Sequence, residues 1–377
     1  MKNITKLTWF FILITTLMVI NSCSAKPEQE YITIGALLPL TGDSSDEGIR
    51  TLNGMQLAKQ KINESGGILG KKLDIIVLND RGDEEYIVKQ YNVLKERGVA
   101  AIIGSSYSYV TIALAKAAEK DGIPVISPTA SNPDVTIGRP NVFRAIFIDD
   151  YQAEAMAHFA YNTLNARNAL VLKNRNFSGY MRAADVFNEF FSEYGGETTV
   201  EYFSSEDEFP GILENYTNNK PDVIFCPEDY VPGAILINIV YEAGFNNTYV
   251  LGTDAYDGIL AYVFNPEAMK NVYYSTPFSY DDQDMEIRRF VINYLDNFSQ
   301  MPMTGAATAY TCVYILAEAI KTAGSTDKNA IISAIKENEL DTILGNIKFD
   351  ENNNPQTNVY VIQIESGIYS TFMKFRL

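Results

Sequence analysis

From Tyr31 onward, short runs of unbroken apolar residues alternate with amphipathic helical patterns, and the cycle starts afresh near the middle of the chain. Tyr31–Leu38 (YITIGALL) reads as a strand. Residues 50–63 read as a helix with Leu52, Met55, Leu57, Ala58 and Ile62 on one side, closed by Gly66-Gly67 as glycine closes a helix. Strands at 73–78, 100–103 and 125–126 follow, with helices at 84–96 and 110–120 between and around them. After Asp149-Asp150 the cycle resumes with helices at 151–164, 180–194, 235–243, 286–298 and 306–323. Its strands are 169–172, 198–203, 223–226, 249–251, 272–275 and 359–364. Strands apolar throughout, each feeding a helix, imply a parallel sheet covered on both faces. There are too many such units for one sheet. The chain therefore reads as α/β, with two doubly wound lobes and a ligand crevice at the carboxyl ends of the strands.

The first thirty residues do not fit that rhythm. Lys2 and Lys6 precede an apolar run, 7–20 (LTWFFILITTLMVI), too short for a comfortable membrane span and closed by polar Asn21 and Ser22. That order predicts a secretory signal peptide over residues 1–22. An uncleaved anchor helix is the weaker reading. Ser24 to Glu30 shows no apolar period and reads as a polar tether. No later apolar run approaches spanning length, which predicts a soluble body.

Composition narrows the partners. Hydrophobic residues make up 46% of the 377-residue chain, ample for packed cores and suggestive of roughly two domains. A net charge of −17 argues against nucleic acid and against acidic membrane surfaces. Besides Cys23 there are Cys226, ending an apolar run, and Cys312, inside a helical pattern; both read as small buried hydrophobes, with a disulfide between them left open. The single histidine, His158, lies in a helical stretch and reads as a packing residue. With no clustered cysteines beside it, a zinc site lacks a ligand set, and no metal or cofactor is expected.

Catalytic motifs are also missing. There is no GxGxxG and no GxSxG elbow. Gly66 to Lys71 approaches a P-loop, but Ser65 stands at its first glycine and Lys72 replaces the Ser/Thr. Asp350, Asn352 and Asn354 imitate the start of a calcium loop, yet Pro355 occupies its glycine position. A binding protein fits better than an enzyme.

Several segments occur in a telling order: Pro39-Leu40-Thr41-Gly42, Ile62 to Gly67 (INESGG), Ile102-Ile103-Gly104 with Ser108, and Gly122 to Pro128 (GIPVISP). Asn141 to Arg144 (NVFR), Pro221 to Phe225 (PDVIF), Gly252-Thr253-Asp254 and Gly345 to Asp350 (GNIKFD) complete the series. Together they resemble the type I periplasmic solute-binding proteins, specifically the branched-chain (Leu/Ile/Val) amino-acid-binding family of ABC importers. The similarity runs from about Ile32 to near the C-terminus. Cys23, behind a small residue and the apolar run, likewise resembles a lipoprotein's lipidated cysteine. The resemblance implies a Venus-flytrap fold with a signal peptide at 1–22 and a lipidated tether at 23–30. It divides the rest into an N-terminal lobe of 31–148 plus 279–347 and a C-terminal lobe of 149–278 plus 348–377. The chain would cross between lobes near Ile148, Phe278 and Ile347.

The family's ligand is a free α-amino acid. Ser108 follows a strand and opens a helix, so its hydroxyl and nearby N–H groups face the positive helix end and suit an α-carboxylate; from spacing alone it could equally be an N-cap. By resemblance, Thr129 lends its carbonyl to the ammonium and Ser131 its hydroxyl and N–H, with Ala130 between them. Read alone, that loop is a polar turn. Asp254 falls where the family sets a carboxylate against the ammonium. Tyr107, Phe177 (or Tyr180, if the register slips) and Tyr230 would line the remainder, and Tyr256 stands where many relatives have tryptophan. Glu47, Asp229 and Thr311 depart from the pattern, and Tyr107 replaces a cysteine that some relatives pair in a disulfide. Such departures bear on side-chain specificity rather than on the head-group site.

The expectation is a monomeric, lipid-anchored periplasmic or cell-surface protein that binds a small amino acid, branched-chain or related. It would deliver that ligand to an ABC permease. A sensor using the same module for a receptor partner is the alternative, and an extracytoplasmic hydrolase is disfavoured by the missing motifs.

Overall fold

The computed structural model describes residues 30–42, 45–263, 265–365 and 367–375. The expected signal segment, Cys23 and the tether up to Gln29 lie outside the described residues. The first sheet holds five strands, all parallel: β1 (Tyr31–Leu38), β2 (Lys72–Asn79), β3 (Ile102–Gly104), β4 (Val125–Ser127) and β5 (Val142–Arg144), in the order β2-β1-β3-β4-β5. Its winding reverses between β1 and β3. Helices α1 (Ser45–Glu64), α2 (Glu84–Glu96) and α3 (Ser108–Glu119) connect these strands. The side chain of Asp83 caps α2 by accepting from the Tyr86 N–H at 2.6 Å, which is why that helix starts where it does. Gly35 on β1 lets α2 come close, since a Cβ there would sit 2.6 Å from Leu94.

After α4 (Asp149–His158) the chain builds a second, seven-stranded sheet. It uses β6 (Asn168–Asn174), α5 (Ser178–Glu193), β7 (Glu197–Phe203), α6 (Phe209–Glu214), β8 (Val223–Phe225), α7 (Tyr230–Glu242), β9 (Tyr249–Gly252) and β10 (Val272–Thr276). Its winding reverses between β6 and β8. Then α8 (Met285–Phe298), α9 (Thr304–Ala323), α10 (Lys328–Glu337) and the small β11 (Leu340–Thr342)–β12 (Gly345–Ile347) ladder return to the first sheet. There Leu316, Ile320, Ile331 and Ile335 join one core with Ile34, Met55 and Ile103. Finally β13 (Val359–Glu365) and β14 (Ile368–Phe375) add an antiparallel hairpin to the edge of the second sheet. That hairpin makes the second sheet mixed, where parallel strands alone were expected.

The turn before β13 rests on the first sheet. The Phe349 ring meets Phe143 edge-on at 5.2 Å, and the Asn353 amide donates to the Arg139 and Val142 carbonyls. Cys226 and Cys312 are both free and buried, in different cores. His158 ends α4 with its ring edge-on to Tyr194. Among the described residues no helix is long and apolar enough to cross a membrane.

Candidate functional site

Each sheet reverses its winding at one point, and there the loops leaving neighbouring strands part to open a crevice. In the first sheet that point lies between β1 and β3, where Ser105 to Ser108 run into α3. Tyr107, in extended backbone, is the N-cap of α3, and Ser108 is its first helical residue. Ser108 is therefore not the cap that spacing alone allowed. Its Oγ accepts from the Asn132 N–H at 3.2 Å and so ties α3 to the next loop. The first N–H groups of the helix have no intrahelical acceptor and form an anion-favouring end. Ser106, 6% exposed, has a hydroxyl without a partner at the same place, a feature that sequence spacing did not reveal.

The loop after β4 is held from below. Arg144, wholly buried at the end of β5, donates to the Ala130 carbonyl at 2.8 Å, the Asn132 carbonyl at 2.8 Å and Thr136 Oγ1 at 3.1 Å. Thr129 Oγ1 donates to the Ser106 carbonyl at 2.8 Å, and Ser127 Oγ accepts from the Ala130 N–H. These bonds set the Thr129 and Ser131 backbone beside the start of α3. The Asp149 N–H donates to the Ser131 carbonyl at 3.1 Å, and the Ser131 hydroxyl bonds the Asp149 carboxyl, which burial raises above the ordinary range.

Asp149 begins the link to the second sheet. Gln152, one turn on, donates to Asp149 Oδ1 and accepts through Oε1 from the Asp254 N–H and Ser275 Oγ, both at 3.1 Å. Asp254 thus sits just beyond the end of β9, positioned from α4. Burial first, then the charge of Asp149, pushes its carboxyl up to about 7. Among the described residues no lysine or arginine forms an ion pair with Asp254.

The remaining expected residues divide. Tyr230 opens α7, partly buried, with Tyr262 5.2 Å from its ring. Phe177 caps α5 and is 55% exposed, 5.7 Å from Tyr180, whose hydroxyl donates to Asp229 Oδ1 at 2.7 Å. Tyr107 stands 6.0 Å from Tyr109. Tyr256 is turned into the second core: Gly233 and Gly252 lack the Cβ atoms that would strike its ring. Glu47 is at the other end of the cleft, its carboxyl lying over Gly305 in the first turn of α9; burial raises it to about 7 despite Arg50. Asp229 is exposed to solvent on one side; burial by its neighbours raises its carboxyl above the ordinary range, and the Tyr180 hydroxyl draws it back down.

The lobes touch across this crevice. A Cβ on Gly179 of α5 would lie 3.8 Å from both Asn132 Nδ2 and Asp149 Oδ2, and Asp257 Oδ2 accepts from the Thr304 N–H at 2.7 Å. The α3 N-terminus and the Asp254 carboxyl, which has no cation partner among the described residues, are linked through Asn132, Ser131, Asp149 and Gln152. The two sheets, each with its own packed core, make this a two-lobed α/β protein. The chain belongs to the periplasmic binding protein family, whose model matches residues 31–368. The Leu/Ile/Val-binding protein BraC3 of Rhizobium johnstonii is 25% identical over 344 residues, spanning 90% of this chain and 92% of its own. The leucine binding protein LivK of Thermotoga maritima, solved by crystallography, is 27% identical with a TM-score of 0.81, over 92% of this chain and 99% of its own. LivJ of Streptococcus pneumoniae, solved with isoleucine, has a TM-score of 0.82 at 24% identity, over the same shares, and shows the common fold. All three are named for binding or transport, not for catalysis.

Proposed function

We propose that this protein captures a small α-amino acid outside the cytoplasm and delivers it to an ABC importer. The observation that carries the reading is the charge asymmetry of the crevice. The α3 start, with the Ser106 and Ser108 hydroxyls, offers donors to a carboxylate. Asp254, without a cation of its own, offers a counter-charge to an ammonium. Thr129, Ala130 and Ser131 supply backbone groups between them, while Tyr107, Phe177 and Tyr230 wall the ligand. The names of BraC3 and LivK support an amino acid of the branched-chain or a related type. We take the moving bodies to be the two lobes expected from the sequence, except that the 349–356 turn, expected with the second, packs on the first. Lipidation at Cys23 would hold the protein at the membrane beside its permease, and it would act as a monomer.

The test is a thermal-shift screen of the twenty amino acids, each compared with the amine and the carboxylic acid obtained by removing one charged group. A ligand at a hundred times its dissociation constant stabilises the fold by about 2.7 kcal/mol, a readily visible shift. The reading expects one or more amino acids to shift the melting point while their single-ended analogues do not. Equal shifts from an analogue lacking the amine would overturn it.

A further inference from the structure

One group of side chains in the crevice has no part in holding an amino-acid head group. Glu228 leaves β8 and Asn174 ends β6, so both stand where the second sheet's winding reverses. Glu228 is 2% exposed, and its Oε1 has no donor among the described residues. Asn174 lies within bonding reach of the same carboxyl. Asp229, the next residue, takes the Tyr180 hydroxyl and is otherwise open to the crevice. The charges of Asp229, Glu228 and Asp149 all reach that hydroxyl, so three carboxyl groups of the second lobe gather round one ring. Asp229 is felt across the cleft by Tyr109 as well. Cations that could balance them are engaged elsewhere: Lys173 pairs with Asp185, Arg182 with Asp150, and Arg175 lies over the Tyr202 ring. Among the described residues, neither Glu228 nor Asp229 is in an ion pair.

A leucine or isoleucine side chain placed here would leave Glu228 Oε1 without a donor and would bring neither carboxyl a cation, an unfavourable arrangement once water is excluded. A cation would satisfy both. We propose that the ligand carries a second positive charge at the end of its side chain, an α-amino acid ending in an amine or guanidinium, received by Asp229 and Glu228 with the Tyr180 ring alongside. This rests on the reading above for the ligand's α-ammonium and α-carboxylate.

A proton accompanies the binding. Burial holds the Glu228 carboxyl up at about 8, reinforced by Asp229 beside it and Glu206 beyond β7, with Tyr180, Cys226 and Tyr256 as its remaining titratable neighbours. At neutral pH it is largely protonated, and an arriving cation ionises it.

Titration calorimetry near neutral pH, in two buffers of different ionisation enthalpy, tests this with lysine, ornithine, arginine, leucine, isoleucine and cadaverine. The expected result is that at least one basic amino acid binds tenfold or more tighter than leucine, with net proton release. Glu228→Gln removes the part of the release that exceeds leucine's, which comes through Asp254, and Asp229→Asn weakens the basic ligand tenfold or more with little effect on leucine; the wild-type series stands even if a variant does not fold. Tighter binding of leucine or isoleucine than of any basic amino acid overturns this inference and leaves the amino-acid reading intact. Cadaverine binding as well as lysine, or no amino acid binding at all, overturns both.

Discussion

At the scale of single residues, the crevice is governed by carboxyl groups held protonated. Asp254 and Glu47 titrate at about 7 and Glu228 at about 8, each chiefly because burial disfavours its charge. The folded state therefore keeps protons that the unfolded chain gives up above about pH 4. Their contribution to stability is complete below that point, falls as pH rises, and is lost once pH passes 7 to 8. Carboxyls shifted the other way, such as Asp74 beside Lys59, are ionised in both states over that window and do not offset the trend. The unliganded protein should thus melt lower at pH 8 than at pH 5, and saturating amino acid should flatten the difference. A melting temperature that rises over this interval would contradict the assignment. Ser108→Ala should cost about 1–3 kcal/mol of ligand binding, because the helix N–H groups remain; calorimetry reads it directly. The positions of Ser108 at a helix start and Asp254 after a strand were legible in the sequence through the order of motifs around them. Ser106 and Glu228 were not, because lacking a partner is a property of tertiary surroundings that no local pattern records, and Asp149 was not, because Ser131 meets it only in the fold. The choice between Phe177 and Tyr180 turns on where α5 begins. Its start at Ser178 leaves Phe177 outside the helix as a cap and sets Tyr180 against Asp229.

Among elements, the most consequential is α9. It has no cap from its own side chains, and the Thr304 N–H at its start is taken by Asp257 of the other lobe. A helix cap supplied across the crevice contributes to stability and to the relation between lobes at once. Asp257→Ala should lower stability by about 0.5–2 kcal/mol, the usual worth of a lost cap. It should also widen the unliganded protein, which small-angle scattering would register as a larger radius of gyration. An unchanged radius would mean that the bond does not restrain the lobes. Most elements could be read beforehand because continuously apolar strands and one-sided helices announce themselves by period. Those that could not were short or half-exposed. β5 is three residues inside NVFRAIF, and α6 is six residues beginning Phe-Pro-Gly. β14 alternates weakly because its outer edge faces solvent. Tyr256 went to the core rather than the cleft because two glycines distant in sequence, Gly233 and Gly252, make room for it.

For the whole molecule, two sheets, each reversing its winding once, set the α3 start and Asp254 beyond the carboxyl ends of their strands. If Cys23 is lipidated, Cys23→Ala should move the protein from the membrane fraction to soluble or precursor form. Unchanged fractionation would remove the anchor. Trp9 is the single tryptophan, so mature protein cleaved at this segment should show tyrosine emission alone. The central claim is that one ligand spans the crevice, with its carboxylate at α3 and its ammonium on Asp254. It is tested most directly by titrating wild type and Asp254→Ala with the amino acid found by screening and with the same molecule lacking its amine. Wild type should prefer the amino acid strongly. Asp254→Ala should lose about 2–5 kcal/mol toward the amino acid, and most of that preference with it. Full affinity and undiminished preference in Asp254→Ala would contradict the account.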